Sequence, residues 1–165
     1  LARADVPTGS AISEYVDVVG ISTYAYAFYS HDDKGDPSNL PGNWLTQIRT
    51  IAPDKPSAVT ETGWIAEDLD IDHVDADPLK NWSLHERGSQ AYQSDYLKEL
   101  LAQCNEIDAE MVIWFSSHDY DTLWNDTLGS DDLSRIWRDT GFVDESFQER
   151  SALAAWRSWF NRERK

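Results

Sequence analysis

The stretch Lys55-Pro56-Ser57-Ala58-Val59-Thr60-Glu61-Thr62-Gly63-Trp64 decides the fold. It is a short β-type run that ends on a carboxylate and continues at once into Thr, Gly and an aromatic residue. A carboxylate at the end of a buried strand costs free energy unless it is paired or used in chemistry. In a parallel sheet, active sites lie at this end of the strands. Glu61 is therefore the first candidate catalytic residue.

Two further apolar runs predict strands before and after this stretch. Residues 15–24 form a nearly continuous β-branched run, which is typical of a strand buried on both faces of a parallel sheet. Residues 111–115 predict a third strand. Long loops follow the first two strands, an aromatic one at 25–42 and an acidic one at 65–82.

Two helical patterns separate these strands. A short helix is predicted over residues 44–51, with Asn43 as its N-cap. A long helix is predicted over 83–105, because Ser83 and Glu86 have the spacing of a capping box. Its apolar stripe recurs at helical spacing and comprises Tyr92, Tyr96, Leu97, Leu100, Leu101 and Cys104.

The region after the third strand predicts further helical structure. A helical turn is expected near 131–137, and a second capping box at 146–149 predicts the start of a last helix. The inward-facing residues expected there are Leu153, Trp156, Trp159 and Phe160. Strand and helix thus alternate three times, which predicts a parallel α/β arrangement. We expect a single domain over residues 1–165, with 1–10 as a lead-in.

Composition limits the class of partner. Fourteen Lys and Arg against thirty Asp and Glu give a net charge of −16, which repels nucleic-acid phosphates and anionic lipid surfaces. We therefore expect no nucleic-acid and no membrane partner, and no apolar run approaches the roughly 20 residues that span a bilayer. Eight Trp beside many carboxylates suit a sugar-binding cleft. The single Cys104 excludes an internal disulfide framework.

Candidate site residues converge at one edge of the predicted sheet. Tyr24, Glu61 and the segment after Trp114 all lie at the carboxyl ends of parallel strands, so we expect them on one face. A carboxylate there can attack an anomeric carbon and form a glycosyl ester that water later hydrolyses. A neighbouring phenol, Tyr24, can hydrogen-bond the carboxylate and hold it ionised. Trp114 or Trp64 would either supply a stacking platform or belong to the core. His118 would either contact sugar hydroxyls or be an exposed loop residue.

These residues resemble the C-terminal part of a retaining (β/α)8-barrel glycoside hydrolase, of the superfamily that holds endo-galactanases, cellulases and β-glucanases. Residues 17–24 are similar to its sixth strand, 55–64 to its seventh, and 112–115 to its eighth, while 140–144 and 152–156 resemble the segment leading into the last helix. The resemblance implies that Glu61 is the nucleophile and that Trp114 stands at a sugar-binding subsite.

The resemblance also implies a partial barrel. A complete barrel needs about 250 residues and eight strands, whereas three strands are predicted here. The family's acid/base Glu follows an Asn at the end of the fourth strand, and no such strand is present. Glu67 and Asp119 are loop residues that do not match that motif. A fragment of this kind exposes strand edges, so we expect a homo-oligomer, in the form of a barrel-like dimer.

Two readings of function follow. The first is a retaining O-glycosidase, or its nucleophile-bearing fragment, acting on a polysaccharide; the second is a non-catalytic carbohydrate-binding or structural remnant. We expect a secreted or periplasmic rather than a cytoplasmic location. No cofactor or metal is expected, because the acidic loop fails as an EF-hand: His73 stands where Gly is required and Leu79 where the final Glu is required. A serine hydrolase built on Ser22 and His118 is disfavoured, since the second Gly of a nucleophile elbow is missing.

Overall fold

The fold is built on one parallel β-sheet. The computed structural model describes residues 11, 13–25, 36–68 and 88–163. In this part of the chain, β1 (Val19–Thr23), β2 (Ser57–Thr62) and β3 (Met111–Trp114) are adjacent in that order. Both pairings are parallel. The predicted α/β class, with three parallel strands separated by helices, is confirmed.

Helices follow each strand in the described residues. They are α1 (Ile48–Ile51), α2 (Gln90–Glu106), α3 (Asp121–Asp126), α4 (Asp132–Arg138) and α5 (Ser151–Phe160), and a 3-10 helix covers Pro37–Asn39. α1 lies between β1 and β2, α2 lies between β2 and β3, and α5 packs against α2. The helical turn predicted near 131–137 is confirmed as α4. α3 was not predicted.

The long helix begins later than the sequence pattern predicts. Ser89 is extended (φ −156°, ψ 155°), and its Oγ accepts a hydrogen bond from the Tyr92 amide at 3.1 Å. This cap starts α2 at Gln90, so the predicted start at residue 83 is wrong. The capping box at 83–86, the lead-in at 1–10 and most of the acidic loop lie outside the described residues.

The last helix also begins later than predicted. One carboxylate oxygen of Asp144 accepts hydrogen bonds from the amides of Ser146 and Gln148, at 2.9 and 2.8 Å. These bonds fold residues 144–148 into a turn, so the second capping box does not start a helix. α5 starts at Ser151, and Phe160 at its end is 72% exposed rather than inward-facing.

The short helix differs from its prediction in length and cap. α1 covers four residues, and the backbone before it forms turns. Its N-cap is Gln47, which makes no side-chain cap hydrogen bond. Asn43 instead contributes its backbone carbonyl, which accepts from the Gln47 amide at 3.3 Å. The predicted side-chain cap at Asn43 is therefore wrong.

The core lies between the sheet and the helices and is rich in stacked aromatic rings. Tyr96 of α2 is fully buried and stacks on Trp44 and Trp64, with ring centroids 5.4 and 4.5 Å apart. Gln103 ties α2 to the segment before α1, because its Oε1 accepts hydrogen bonds from the Leu45 and Thr46 amides. The predicted stripe of α2 is buried except for Tyr92, which is half-buried. Within the described residues, no helix has the length and apolar character needed to cross a membrane.

Candidate active site

A bulge in β2 sets the position of Glu61. Ile21 and Ser22 of β1 lie opposite Val59 and Glu61, so β2 has one extra residue, Thr60, at this point. The pairing of β2 with β3 shows the same extra residue between Val59 and Thr62. Such bulges re-aim a side chain and bend the strand. Thr60 and Glu61 are consequently both exposed, whereas Val59 and Thr62 are buried.

A glycine on the neighbouring strand makes room for this bulge. A Cβ placed on Gly20 would lie 2.6 Å from Cγ2 of Thr60, which is closer than atoms pack in folded proteins. Any larger residue at this position would press on Thr60. The absence of a side chain at Gly20 therefore leaves room for the Thr60 side chain beside the bulge.

Tyr24 and Glu61 meet at the carboxyl ends of β1 and β2. The phenol of Tyr24 donates a hydrogen bond to Oε1 of Glu61 at 2.5 Å, as predicted from the sequence. Burial, followed by this hydrogen bond and the negative charge of Glu61, raises the pKa of Tyr24 well above its ordinary value. The phenol therefore stays protonated and remains a donor. Among the described residues, Oε2 of Glu61 has no hydrogen-bond partner, which leaves it available to another molecule.

Gly63 allows the chain to leave β2 close to β3. A Cβ placed on this residue would lie 2.5 Å from the carbonyl oxygen of Phe115 and 3.1 Å from a ring carbon of Tyr24. The Phe115 amide donates to the carbonyl of Thr62 at 2.7 Å, which continues the ladder between the two strands. The peptide bond between Phe115 and Ser116 is cis. Gly63 thus lies between the ring of Tyr24 and the backbone of Phe115, with no room for a side chain.

The two tryptophans expected to stack on sugar are buried. Trp64 is 1% exposed, and its ring stacks on Tyr96 in the core. Trp114 is 8% exposed; its Nε1 donates to the carbonyl of Thr140 at 2.9 Å, and its ring stacks on Phe142. We therefore assign Trp64 to the core rather than to the wall of the site. Trp114 is also buried and exposes only a small part of its surface.

A ring that stands beside Tyr24 in the described residues is that of Trp137, which the sequence reasoning missed. Its half-buried ring meets that of Tyr24 edge to face, with centroids 6.4 Å apart at 86°. Trp137 belongs to α4, whose helical pattern was predicted without a role at the site. No local motif marks it, because its approach to Tyr24 depends on how the segment after β3 folds back.

His118 lies in the loop after β3, and its contacts are with residues other than Tyr24 and Glu61. Its Nδ1 is hydrogen-bonded to the carbonyl of Asp119, and its ring packs on Phe147, which is 77% exposed. Its buried Nε2 has no hydrogen-bond partner in the described part of the chain. The structure gives His118 no contact with Glu61, so its sugar-binding role stays a prediction.

Near the site, carboxylates surround two arginines; Asp119 and Asp139 are buried, whereas Glu67 is half exposed. Arg150 is 2% exposed and donates to Asp119, to Glu67 at 2.6 Å, and to the carbonyl of Asp139 at 3.0 Å. Asp119 also accepts from the Gly141 amide at 2.7 Å. Burial raises the pKa of Asp119 to about 7, although Arg150 and the Gly141 amide favour its charged form. Glu67 and Asp119, the two loop carboxylates considered as acids, are thus both engaged by Arg150.

The same region contains a possible metal-ligand set whose carboxylates are already paired with arginines. Carboxylate oxygens of Asp119, Asp121 and Asp139 lie within 4.8 Å of one another. Arg138 binds both oxygens of Asp139, at 2.9 and 2.7 Å, and also lies 3.1 Å from Asp121. Together with Arg150, this arginine supplies the positive charge that a cation would bring. The cluster is therefore a set of ion pairs.

Comparisons with known proteins place the fold among carbohydrate-active enzymes. No family model and no curated protein match the chain. A Rhizomucor miehei β-1,3-glucanosyltransferase, solved as an active-site mutant with laminaritriose, aligns at a TM-score of 0.55 and 11% identity over 87% of this chain. A β-D-glucuronidase from Dictyoglomus thermophilum aligns with a TM-score of 0.59 and 18% identity over 92% of this chain. A β-glucuronidase from Faecalibacterium prausnitzii aligns with a TM-score of 0.59 and 17% identity, also over 92% of this chain.

The chain spans only part of these enzymes: 44% of the glucanosyltransferase and 24% and 23% of the two glucuronidases. At such identities the likeness concerns the fold alone. The described sheet and helices agree with a partial barrel, and the chain has a glycosidase-like fold.

Proposed function

We propose that this chain is the nucleophile-bearing part of a retaining O-glycosidase, with Glu61 as the nucleophile. The observation that carries the proposal is the 2.5 Å hydrogen bond from Tyr24 to Oε1 of Glu61, on a strand whose bulge exposes that carboxylate. The glycosidase-like fold supports it. A hydrogen bond to the charged form favours ionisation, so Tyr24 would keep Glu61 in the form that attacks.

The two oxygens of Glu61 have different roles in this proposal. Oε1 is held by Tyr24, so Oε2 attacks the anomeric carbon of the sugar. A bond forms between Oε2 and that carbon while the bond from the carbon to the leaving oxygen breaks, and the leaving oxygen takes up a proton. Water then attacks the same carbon and gives one proton to the group that had protonated the leaving oxygen, or to solvent. The bond from the carbon to Oε2 breaks, which restores the carboxylate and releases a sugar of retained configuration.

The proton for the leaving group must come from a second carboxylic acid, about 5–5.5 Å from the first in retaining enzymes. Glu67 and Asp119 are bound to Arg150. We therefore propose that this chain reacts with substrates whose leaving group needs little acid help, such as activated aryl glycosides. Hydrolysis of unactivated glycosides by this chain alone would be much slower.

We propose a neutral polysaccharide as the natural substrate. A net charge of −16 opposes the approach of polyanionic chains. A neutral glucan, the class to which the laminaritriose of the glucanosyltransferase complex belongs, fits better than a uronic acid polymer. Because polysaccharides do not enter cells, this substrate implies a secreted or periplasmic location.

The test is covalent trapping with activated 2-fluoro glycosides of several sugars, followed by mass spectrometry of the labelled peptide. We expect label on Glu61, and none in Glu61→Gln. Glu106→Gln is the matched control, because Glu106 is an exposed carboxylate at the end of α2. Tyr24→Phe should slow labelling by about 10- to 100-fold, since a hydrogen bond to a charged group contributes roughly 1.5–3 kcal/mol. Label on another residue, or label that persists in Glu61→Gln, would contradict the assignment.

The second candidate function is carbohydrate binding without turnover. The engagement of Glu67 and Asp119 by Arg150 favours it, because neither is then free to act as the acid. Oligosaccharide titration followed by NMR separates the two candidates. Chemical-shift changes around Tyr24 without any label on Glu61 would support the binding remnant.

We also propose that the chain self-associates through its sheet. In the described residues β1 and β3 each pair on one side only, and Val18, Met111 and Ile113 are 42–45% exposed beside them. Unpaired strand edges and exposed apolar side chains favour association. Sedimentation should show a dimer at micromolar concentration that Ile113→Lys weakens; a well-folded monomer would contradict this proposal.

A further inference from the structure

One short segment supports the candidate site from behind. Residues 137–141, here called the backing segment, touch three of its parts. Trp137 meets the ring of Tyr24, and the Cβ of Thr140 lies 3.6 Å from the point where a Cβ on Gly63 would stand. The carbonyl of Thr140 also accepts the hydrogen bond from Trp114 Nε1 at 2.9 Å. A shift of this segment would therefore reach Tyr24.

Buried polar side chains hold the backing segment in place. Asp119 accepts a hydrogen bond from the Gly141 amide at 2.7 Å, and Arg150 donates to the carbonyl of Asp139 at 3.0 Å while also binding Asp119. A Cβ on Gly141 would lie 2.5 Å from the same oxygen of Asp119, so the glycine is needed for this approach. The middle of the segment, at Asp139, and its last residue, Gly141, are thus tied to one ion pair.

From the other side, α2 supplies a neutral clamp. Nε2 of the fully buried Gln93 lies 3.1–3.2 Å from the carbonyls of Trp64, Thr140 and Gly141. These hydrogen bonds hold the backing segment at a fixed distance from α2. The ion pair, in contrast, reaches it from the loop after β3 and from the start of α5.

We propose that Arg150 and Asp119 are positioning residues that hold the backing segment against Tyr24, so that the hydrogen bond from Tyr24 to Glu61 depends on them. The consequence for catalysis rests on the proposed function, whereas the effect on the hydrogen bond does not. Neither residue contacts Glu61 or a reacting atom; both act through Trp137 and Thr140.

The chemistry of Arg150 explains why another cation would not replace it. One guanidinium serves the carboxylates of Asp119 and Glu67 and the carbonyl of Asp139 at the same time. Its planar fork can bind several acceptors in fixed directions, whereas a Lys ammonium is a compact point charge on a flexible stem. Arg150→Lys keeps the positive charge but should lose the simultaneous hydrogen bonds to Asp119, Glu67 and the Asp139 carbonyl. Replacing a buried ion pair is often neutral in stability, so stability alone is a weak account of this one.

The test follows the Cζ resonance of Tyr24 by NMR in chain labelled with ¹³Cζ-tyrosine, with the signal assigned through Tyr24→Phe. Glu61→Gln defines the shift change that accompanies loss of the charged hydrogen bond. We expect Arg150→Lys and Asp119→Asn to move the Tyr24 signal by at least half of that change at neutral pH. Fold is checked by circular dichroism and by the dispersion of amide signals.

The matched control is Arg157→Lys. Arg157 lies in α5, the helix that Arg150 immediately precedes, and it binds Glu149, but this pair is 56–58% exposed. We expect it to leave the Tyr24 signal unchanged. A wild-type Tyr24 signal in folded Arg150→Lys and Asp119→Asn would overturn the proposal. Failure of the proposed function can be distinguished from failure of this inference. If only the function is wrong, Glu61 stays unlabelled while the Tyr24 signal still responds to both variants.

The wild-type chain provides a second measurement that does not depend on a variant folding. Arg150, Asp121 and Asp139 face Asp119 from α5, α3 and the end of α4, while His118 precedes it and Glu67 shares Arg150. Protonation of Asp119 near pH 7 should weaken its pull on Arg150, so the Tyr24 signal should move with the same midpoint as the Asp119 carboxyl carbon. The His118 ring signal is followed separately. A Tyr24 signal that ignores the titration of Asp119 would also overturn the proposal.

Discussion

Replacement of Gly63 by alanine tests how tightly the candidate site is built. The added Cβ would stand 2.5 Å from the carbonyl oxygen of Phe115, where ordinary contact begins at 3.4 Å, so the two must separate by 3.4 − 2.5 = 0.9 Å. The obstacle is a backbone atom at the end of β3 and cannot rotate away. The other near contact, at 3.1 Å, is the ring of Tyr24. Relief on that side moves Tyr24 relative to Glu61.

The expected cost follows from the packing. Inserting one carbon into a close-packed region costs about 1–3 kcal/mol, and 1 kcal/mol shifts Tm by about 2–4 °C in a domain of this size. We therefore expect Gly63→Ala to lower Tm by about 6 °C. Labelling of Glu61 by an activated 2-fluoro glycoside should also slow by about 10-fold, because the Tyr24 hydrogen bond is disturbed.

The assay is thermal unfolding by circular dichroism, run beside Gly42→Ala. A Cβ on Gly42 meets nothing within 4 Å, so its substitution should leave Tm unchanged or raise it slightly, since alanine lowers the entropy of the unfolded chain by about 0.4–1 kcal/mol. Equal Tm values for the two variants, with labelling intact, would refute the reasoning that Gly63 is confined by Phe115.

Three further perturbations test the bulge, the buried acid and a helix cap. Gly20→Ala should destabilise by about 1–2 kcal/mol, and Thr60→Ser, which removes the clashing Cγ2, should restore most of the loss in a denaturant titration. Burial keeps Asp119 protonated to about pH 7 in the folded chain, against an ordinary value of 3.8, so unfolding releases a proton between these values. Stability should then fall by up to about 1.4 kcal/mol per unit as pH rises from 4 to 7, and Asp119→Asn should flatten this slope. Ser89→Ala should cost about 1 kcal/mol, because it removes the N-cap acceptor of the Tyr92 amide; an unchanged denaturation midpoint would contradict that role.

The strands and the position of Glu61 were predictable because their signals are local. β1 and β3 were recognised as apolar runs, and Glu61 is the one carboxylate of β2. The prediction that the first strand is buried on both faces is wrong, because Gly20 and Ser22 of β1 are exposed. Helix starts were less predictable, because two capping signals compete within a few residues. At the last helix, Asp144 captures the amides of Ser146 and Gln148 and wins against the capping box. Such a choice depends on hydrogen bonds that spacing does not reveal.

The surroundings of the site depend on long-range contacts and could not be predicted. Trp64 stands two residues beyond β2, and nothing local distinguishes a core ring from a wall ring. Its place in the core follows from Tyr96, which lies on α2. Trp137 and Arg150 come from α4 and the start of α5, more than seventy residues after Glu61 in the chain. Their contacts exist only once the segments after β3 have folded back over the sheet.

Two glycines, Gly20 in the neighbouring strand β1 and Gly63 directly after β2, indicate that the placement of Glu61 is built into the sheet. Gly20 admits the extra residue Thr60 on the side of β1, and Gly63 admits the end of β3 on the other side. Between them the backbone of β2 exposes the carboxylate of Glu61, which accepts a hydrogen bond from Tyr24, the residue directly after β1. Because strands hold side chains more rigidly than loops do, the Tyr24–Glu61 pair should keep its geometry when the loops beyond it change.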